Sequence, residues 1–189
     1  VGTDEGGTVH GYDLARNLGH DYQPYGAAFI GGVSVPVGDV NSDGTGDVVV
    51  APEPSTGFDT ELFLFDGASG VPLGSFLAYG SGFRGGVYVG AGDVNGDGTA
   101  DIVLGPGQGS AGMVRVIDGR RRTELHSFFA FDPAFTGGVH VAAGDVNGDR
   151  KDDVIVAAGP GGGPHVKVFD GASLAVLHSF FAYDLAFTG

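Results

Sequence analysis

The ten residues GDVNGDGTAD, at positions 92–101, place three aspartates and an asparagine in a glycine-rich segment that the apolar run IVLG follows. Carboxylates so close together repel one another, and water or a cation must relieve that repulsion. The same arrangement occurs in GDVNSDGTGD at 38–47 and in GDVNGDRKDD at 144–153. One explanation must therefore serve for three copies.

The three acidic segments belong to an internal repeat. Their first aspartates, Asp39, Asp93 and Asp145, are 54 and then 52 residues apart. The segment LHSFFAFDPAFTG at 125–137 returns as LHSFFAYDLAFTG at 177–189 with only two differences. A unit of about 50 residues with no helical periodicity is typical of a propeller blade.

Each repeat is predicted to contain four short strands. In the last repeat these are 138–143, 154–158, 165–169 and 175–183. The second strand, VIVAA, is continuously apolar, which suggests that both of its faces are covered. We therefore predict an all-β fold of propeller-type blades, each made of four antiparallel strands.

The repeat divides the chain into three full units and a half. Residues 1–31 are predicted to be the C-terminal half of a repeat, with two strands, and the full repeats are 32–85, 86–137 and 138–189. Closed propellers need four to eight blades. The ring is therefore expected to be incomplete unless other copies of the chain, or the rest of a longer polypeptide, complete it.

Aromatic residues recur at equivalent places in the last two units, and we expect them to pack one sheet against the next. They are Phe128, Phe129, Phe131 and Phe135 in one unit and Phe180, Phe181, Tyr183 and Phe187 in the other.

The chain is acidic, with 23 Asp and Glu against 9 Lys and Arg and a formal net charge of −14. This balance disfavours nucleic acid and anionic membranes as partners, because both require clustered positive charge. The run 120–122, RRR, is predicted to be a solvated hairpin turn. No segment is apolar enough for membrane insertion.

The absence of cysteine excludes a disulfide framework, zinc–thiolate sites and thiol catalysis. The chain opens with VGTDEGG, without a methionine or an apolar signal region. A processed product or an excised segment is therefore expected.

Each acidic loop offers side-chain oxygens at positions 1, 3, 5 and 9, and a main-chain carbonyl at position 7. Hard oxygen ligands without His or Cys suit calcium, and magnesium less well because it gives up water reluctantly. We expect about one calcium ion per loop, three in all. The candidate ligands are Asp39, Asn41, Asp43, Thr45 and Asp47; Asp93, Asn95, Asp97, Thr99 and Asp101; and Asp145, Asn147, Asp149, Lys151 and Asp153.

The acidic loops have two alternative interpretations. An EF-hand needs a glutamate at position 12, where this chain has Val50, Leu104 and Val156, so that interpretation fails. An Asx- and Gly-rich turn that binds nothing is the second alternative.

The third loop has Arg150 where the others have Gly44 and Gly98, and a positive φ there would strain an arginine.

Residues 135–160 contain, in order, Phe-x-Gly, the D-x-N-x-D-x-x-x-D loop and a Gly-Pro end. In this the chain resembles the FG-GAP (VCBS-type) repeats of integrin α-subunit propellers and of many secreted bacterial proteins. The resemblance implies a β-propeller with calcium in the hairpin between the first two strands of each blade. It implies no single activity, since the family includes adhesion modules, lectins and non-catalytic parts of polysaccharide-cleaving enzymes.

Enzymatic chemistry is not expected. The chain has no G-x-S-x-G, Walker or H-E-x-x-H motif. His20, His126 and His178 occupy one repeat position, which is more typical of packing than of catalysis.

The predicted function is a non-enzymatic, calcium-stabilised repeat module for adhesion or self-assembly. Calcium modules of this kind bind with dissociation constants of roughly 10⁻⁴–10⁻³ M, so an extracellular or cell-surface location is expected. The expected partners are other copies of the chain or the rest of a longer one, and glycans or surface proteins are further candidates. The alternatives are a calcium-dependent lectin and a non-catalytic part of a secreted polysaccharide-degrading enzyme.

Overall fold

The computed structural model describes residues 2–3, 8–12, 18–26, 28–54 and 57–184, which form strands in four antiparallel sheets and contain no helix. The predicted all-β class is confirmed. None of these residues belongs to a helix that could cross a membrane. The strands are β1 (Gly2–Thr3), β2 (Val9–Tyr12), β3 (Leu18–Tyr22), β4 (Val33–Ser34), β5 (Val37–Gly38), β6 (Asp47–Pro52), β7 (Glu61–Phe65), β8 (Pro72–Leu77), β9 (Val87–Gly92), β10 (Asp101–Pro106), β11 (Met113–Ile117), β12 (Glu124–Phe129), β13 (Val139–Gly144), β14 (Asp153–Ala158), β15 (His165–Phe169) and β16 (Val176–Phe181).

Three sheets are blades with the predicted strand order. Strands β9–β12 form blade 2 and β13–β16 form blade 3, each as four consecutive antiparallel neighbours. Blade 1 contains β4–β8, and its first strand is split into β4 and β5, which both pair with β6. Pro36 lies at the break, and proline has no N–H to donate to a ladder.

The first sheet contains β1, β2 and β3 in that order. The repeat pattern predicts two strands in this part of the chain, and the structure adds the short β1, which pairs with β2. A two-residue strand carries no apolar alternation, so the sequence offered no signal for it.

Each acidic loop is the hairpin between the first two strands of a blade. Gly92 pairs with Asp101 at the base of the second loop, and the other two loops close through the equivalent pairs. The strands therefore fix both ends of every loop.

The second strand of each blade carries the core. In β10, Ile102 and Leu104 pack in a cluster shared with blade 1, whereas Val103 packs in a cluster shared with blade 3. Because consecutive side chains point to opposite faces, a strand covered on both sides must be apolar throughout. The prediction of two covered faces holds for β10. For β14, which contains the VIVAA run on which it was made, it is wrong for one face, because Val154 and Val156 are buried against blade 2 whereas Ile155 and Ala157 are only half-buried.

The first strands of consecutive blades lie side by side, since β9 contacts β13 on one side and β4–β6 on the other. This is the arrangement around a propeller axis. The array is open, because the far face of blade 3 is uncovered among the described residues. On that face Phe180 is 49% exposed and Ile155 is only half-buried.

Some of the recurring aromatic residues pack between blades, and others lie at the surface. Phe128 packs against Phe169 across the boundary of blades 2 and 3, with ring centroids 4.8 Å apart, as expected. Phe129 instead points to the surface, and so do Phe180 and Tyr183 on the open face. Phe187 lies outside the described residues.

Candidate metal site

The aspartate at position 1 holds each acidic loop together. In the first loop, the carboxylate of Asp39 accepts the N–H of Asp43 at 3.1 Å and that of Gly44 at 2.8 Å. The side chains of Asp93 and Asp145 accept the same two N–H groups in their own loops. The three loops therefore share one backbone conformation.

The aspartate at position 9 is the buried member of each loop, since Asp47, Asp101 and Asp153 are all fully buried. In the second loop, Asp101 Oδ2 accepts the N–H of Val94 at 3.1 Å, and its Oδ1 accepts the N–H of Gly119 at 3.2 Å. The other loops repeat both bonds. Position 9 thus links its loop to the hairpin between the third and fourth strands.

That hairpin requires glycine. A Cβ at Gly119 would collide with the main-chain oxygen of Ala100 in the acidic loop of the same blade. Gly67 and Gly171 meet the equivalent carbonyls. The glycine of each Asp-Gly pair therefore lets this hairpin approach the acidic loop.

The first loop brings carboxylates from two hairpins together. One oxygen from each of Asp43, Asp47 and Asp66 lies within 4.8 Å of the others. Asn41 Nδ2 donates to Asp43 Oδ2 and to Asp66 Oδ2, both at 3.0 Å. Among the described residues, the structure brings three acidic groups this close in the first loop only.

Asp66 and its counterparts Asp118 and Asp170 are site residues that the sequence analysis missed. In the third loop, Asn147 Nδ2 donates to Asp170 Oδ2 at 3.2 Å, which repeats the contact of Asn41 with Asp66. The recurrence of an Asp-Gly pair at 66–67, 118–119 and 170–171 was the available signal. The loop spacing could not show that these carboxylates face it.

The second loop differs, because Arg121 enters it. Arg121 Nη1 donates to Asp118 Oδ2 at 2.8 Å and to Asp97 Oδ2 at 3.2 Å. The sequence predicted a solvated turn at 120–122. Arg121 is exposed but ion-paired, and Arg122 is half-buried.

Burial and hydrogen bonds act on the carboxylates in opposite directions. The pKa of Asp101 is raised to about 6, chiefly by burial and also by the charges of Asp118 and Asp97, against the lowering effect of hydrogen bonds from Gly119 and Asn95. The pKa of Asp47 is also raised, chiefly by burial. In contrast, hydrogen bonds from Ser69 lower the pKa of Asp66. A negative charge is therefore more costly at Asp47 and Asp101 than at Asp66.

The backbone at position 6 has a positive φ in every loop, with values of 87° at Gly44, 84° at Gly98 and 72° at Arg150. The positive φ that would strain Arg150 is therefore present, because a non-glycine residue such as arginine disfavours the left-handed region. The N–H groups of Thr45, Thr99 and Lys151 at position 7 donate to the aspartate at position 5 of their own loops. The ligand role of their carbonyls stays a prediction.

Histidines at the repeat position connect neighbouring sheets. His126 Nε2 lies 3.0 Å from the main-chain oxygen of Gly171 in blade 3. His20 lies 3.4 Å from that of Ala68 in blade 1. Both contacts are with the hairpin of the next blade, which fits a packing role.

Comparison with known families places the acidic loops in a recognised repeat. The model of the FG-GAP-like repeat matches residues 39–104, and that of the FG-GAP repeat matches residues 137–175. Together the matches cover more than half of the chain and contain all three loops. The chain belongs to the FG-GAP repeat family. The resemblance stated from the sequence is confirmed.

Solved structures with a similar fold include three rhamnogalacturonan lyases. The exotype lyase YesX superposes with a TM-score of 0.60 at 15% identity, over 89% of this chain and 34% of the lyase. The lyase YesW gives 0.56 at 15% identity, over 93% and 44%, and a Bacillus licheniformis lyase gives 0.55 at 13% identity with the same coverage. This FG-GAP chain therefore spans less than half the length of those enzymes and shares their fold.

Proposed function

We propose that this FG-GAP chain is a non-enzymatic module stabilised by calcium, with one ion in each acidic loop. The convergence of Asp43, Asp47 and Asp66 within 4.8 Å carries the proposal. These donors are carboxylate oxygens, which suit calcium. Half a turn of the Asn41 amide would present its oxygen to the same point, so the residues present fit the ion.

Calcium would relieve the repulsion that the fold imposes on these carboxylates. Three divalent ions would add six charges to a chain of formal net charge −14. At a tenfold excess over the dissociation constant, each site adds about 1.4 kcal/mol, so three add about 4 kcal/mol. Typical stabilities are about 5–15 kcal/mol, so this contribution can decide whether the module stays folded.

Weak sites of this kind fill only where calcium is abundant, because their dissociation constants are roughly 10⁻⁴–10⁻³ M. That supports an extracellular or cell-surface location. A rigid, metal-stabilised array of blades in such a place suits adhesion or self-assembly, which is the role we propose.

Thermal melts in calcium and in excess chelator test the proposal. We expect calcium to raise the melting temperature by about 8–16 °C. The triple variant D47N/D101N/D153N should lose most of this gain, whereas D132N, which removes a charge outside the loops, should keep it. A melting temperature that is the same in calcium and in chelator would overturn the proposal.

The open face of blade 3 supports self-assembly as part of the proposed function. Val40 and Val94, at position 2 of the first two loops, are fully buried against the next blade, whereas the equivalent Val146 is 44% exposed. In blades 1 and 2 the equivalent face is covered by the next blade. We propose that a blade from a second copy of the chain covers this face of blade 3. Light scattering should show association that V146D abolishes, and a monomer at all concentrations would contradict it.

Carbohydrate binding is the second candidate, and one groove favours it. A cavity of about 490 Å³ is lined by Tyr25, Phe58 and Phe63 together with Asp59 and Arg84. Aromatic faces beside charged groups are typical of ligand sites. A glycan array, followed by titration of the retained sugar into F63A, tests this role. Equal binding by F63A would exclude this groove.

A further inference from the structure

Blade 2 departs from the other blades at one position of its outer hairpin. The hairpin sequence is DGAS at 66–69 and at 170–173, but DGRR at 118–121. In blades 1 and 3 the serine hydroxyl donates to the aspartate of its own hairpin at 2.6 Å. In blade 2 the equivalent residue is an arginine, which reaches beyond its hairpin.

The guanidinium of Arg121 lies between the hairpin and the acidic loop. Its Nη1 contacts Asp118 Oδ2 at 2.8 Å and Asp97 Oδ2 at 3.2 Å. In blade 1 the counterparts of these two acids, Asp66 and Asp43, belong to the group of converging carboxylates. A positively charged side chain thus occupies the second loop where blade 1 offers only negative groups and an amide.

We propose that Arg121 is a tethered counter-ion of the second acidic loop. It neutralises Asp97 and Asp118 in the absence of metal, and it must leave Asp97 before a divalent cation can use that carboxylate. The inference rests on the calcium function proposed above. The second loop therefore binds calcium more weakly than the first and third loops, and its fold depends less on the ion.

The size of the effect follows from the exposure of the arginine. The Arg121 side chain is 64% exposed, so solvent screens its ion pairs and it can swing aside. A doubly charged ion with several oxygen ligands displaces it at saturation. The competition costs roughly three- to tenfold in calcium affinity, the scale expected for exposed ion pairs.

Calcium titration followed by NMR measures each loop separately, through the position-6 amides of Gly44, Gly98 and Arg150. R121S gives blade 2 the serine of the other blades. We expect it to tighten calcium binding at Gly98 about three- to tenfold and to change binding in the other two loops much less. The matched variant S173R should weaken calcium binding in the third loop, measured at the Arg150 amide, by a similar factor.

R120S removes the same charge from the same turn and keeps both contacts of Arg121. It should change calcium affinity less than R121S does. Equal tightening by R120S and R121S would show a general charge effect and overturn the inference. Unchanged binding at Gly98 in R121S would overturn it as well.

Melts in chelator separate this inference from the calcium function. Without metal, R121S should melt at a lower temperature than R120S at low salt, and 1 M NaCl should remove the difference. If no calcium binds to any variant but this salt-dependent difference is present, the calcium proposal fails, whereas the role of Arg121 as a counter-ion is supported. If calcium binds and R121S melts as R120S does in chelator, the counter-ion is overturned and the calcium function stands.

Discussion

The main-chain oxygen of Asp39 accepts the N–H of Ala100 at 2.8 Å, so the first acidic loop is hydrogen-bonded to the second. The N–H of Asp152 makes the same bond to Asp93 at 2.8 Å and joins the second loop to the third. The bonded groups lie at position 1 of one loop and position 8 of the next. The three candidate metal sites therefore form one connected row.

This row predicts that neighbouring loops affect each other's calcium binding. D47N, which removes a carboxylate from the first loop, should weaken calcium binding in the second loop about two- to threefold and leave the third unchanged. The physical reason is that an unfilled loop is less ordered and holds the shared hydrogen bond less well. Titration followed at the amides of Gly98 and Arg150 measures this, and equal effects on both loops would contradict it.

Arg150 should be a destabilising residue. Its φ of 72° lies in the left-handed region, which costs a non-glycine residue roughly 1 kcal/mol. We expect R150G to raise the free energy of unfolding by about that amount in urea denaturation. The reverse change at the equivalent position of the second loop, G98R, should lower it by a similar amount. A neutral or destabilising R150G would show that the arginine makes a compensating contact.

Asp101 should make the metal-free protein less stable as the pH rises. Its pKa is raised from 3.8 to about 6, so the folded state binds the proton more tightly than the unfolded state does. In chelator, stability should therefore fall between about pH 4 and pH 6, by up to about 2–3 kcal/mol. D101N should show a smaller fall, because Asp47, whose pKa is also raised, still titrates, and calcium should reverse the order of the two proteins above pH 6. Parallel pH profiles in chelator would contradict the assignment.

The second strands of blades 2 and 3 should respond differently to truncation. Leu104 is fully buried between blades 1 and 2, so L104A should cost about 2–5 kcal/mol. Ile155 lies on β14 and is only half-buried. I155A should therefore cost less, although it removes as many carbon atoms. Urea denaturation in calcium measures both, at a concentration low enough for the chain to be monomeric, and equal losses under that condition would contradict the prediction.

Much of the loop geometry was predictable because it is local. Asp39 accepts N–H groups four and five residues away, so the spacing of the aspartates is enough to specify the turn. The apolar run VIVAA likewise predicted a second strand covered on both faces, which holds for β10 but for only one face of β14. Local bonds and period-two patterns are the features that a sequence displays directly.

Tertiary structure decided what completes each loop. Asp66 contacts Asn41 from 25 residues away, and Arg121 reaches Asp97 from 24 residues away, through hairpins whose approach depends on the packing of whole strands. Burial was decided in the same way. Val94 and Val146 stand at the same position of the repeat, yet within the described part of the chain only Val94 has a blade beside it. By itself, the sequence determined which residues form a loop and a blade; the neighbouring blades determined which of those residues are buried, paired or left open, because contacts between blades depend on their arrangement in space.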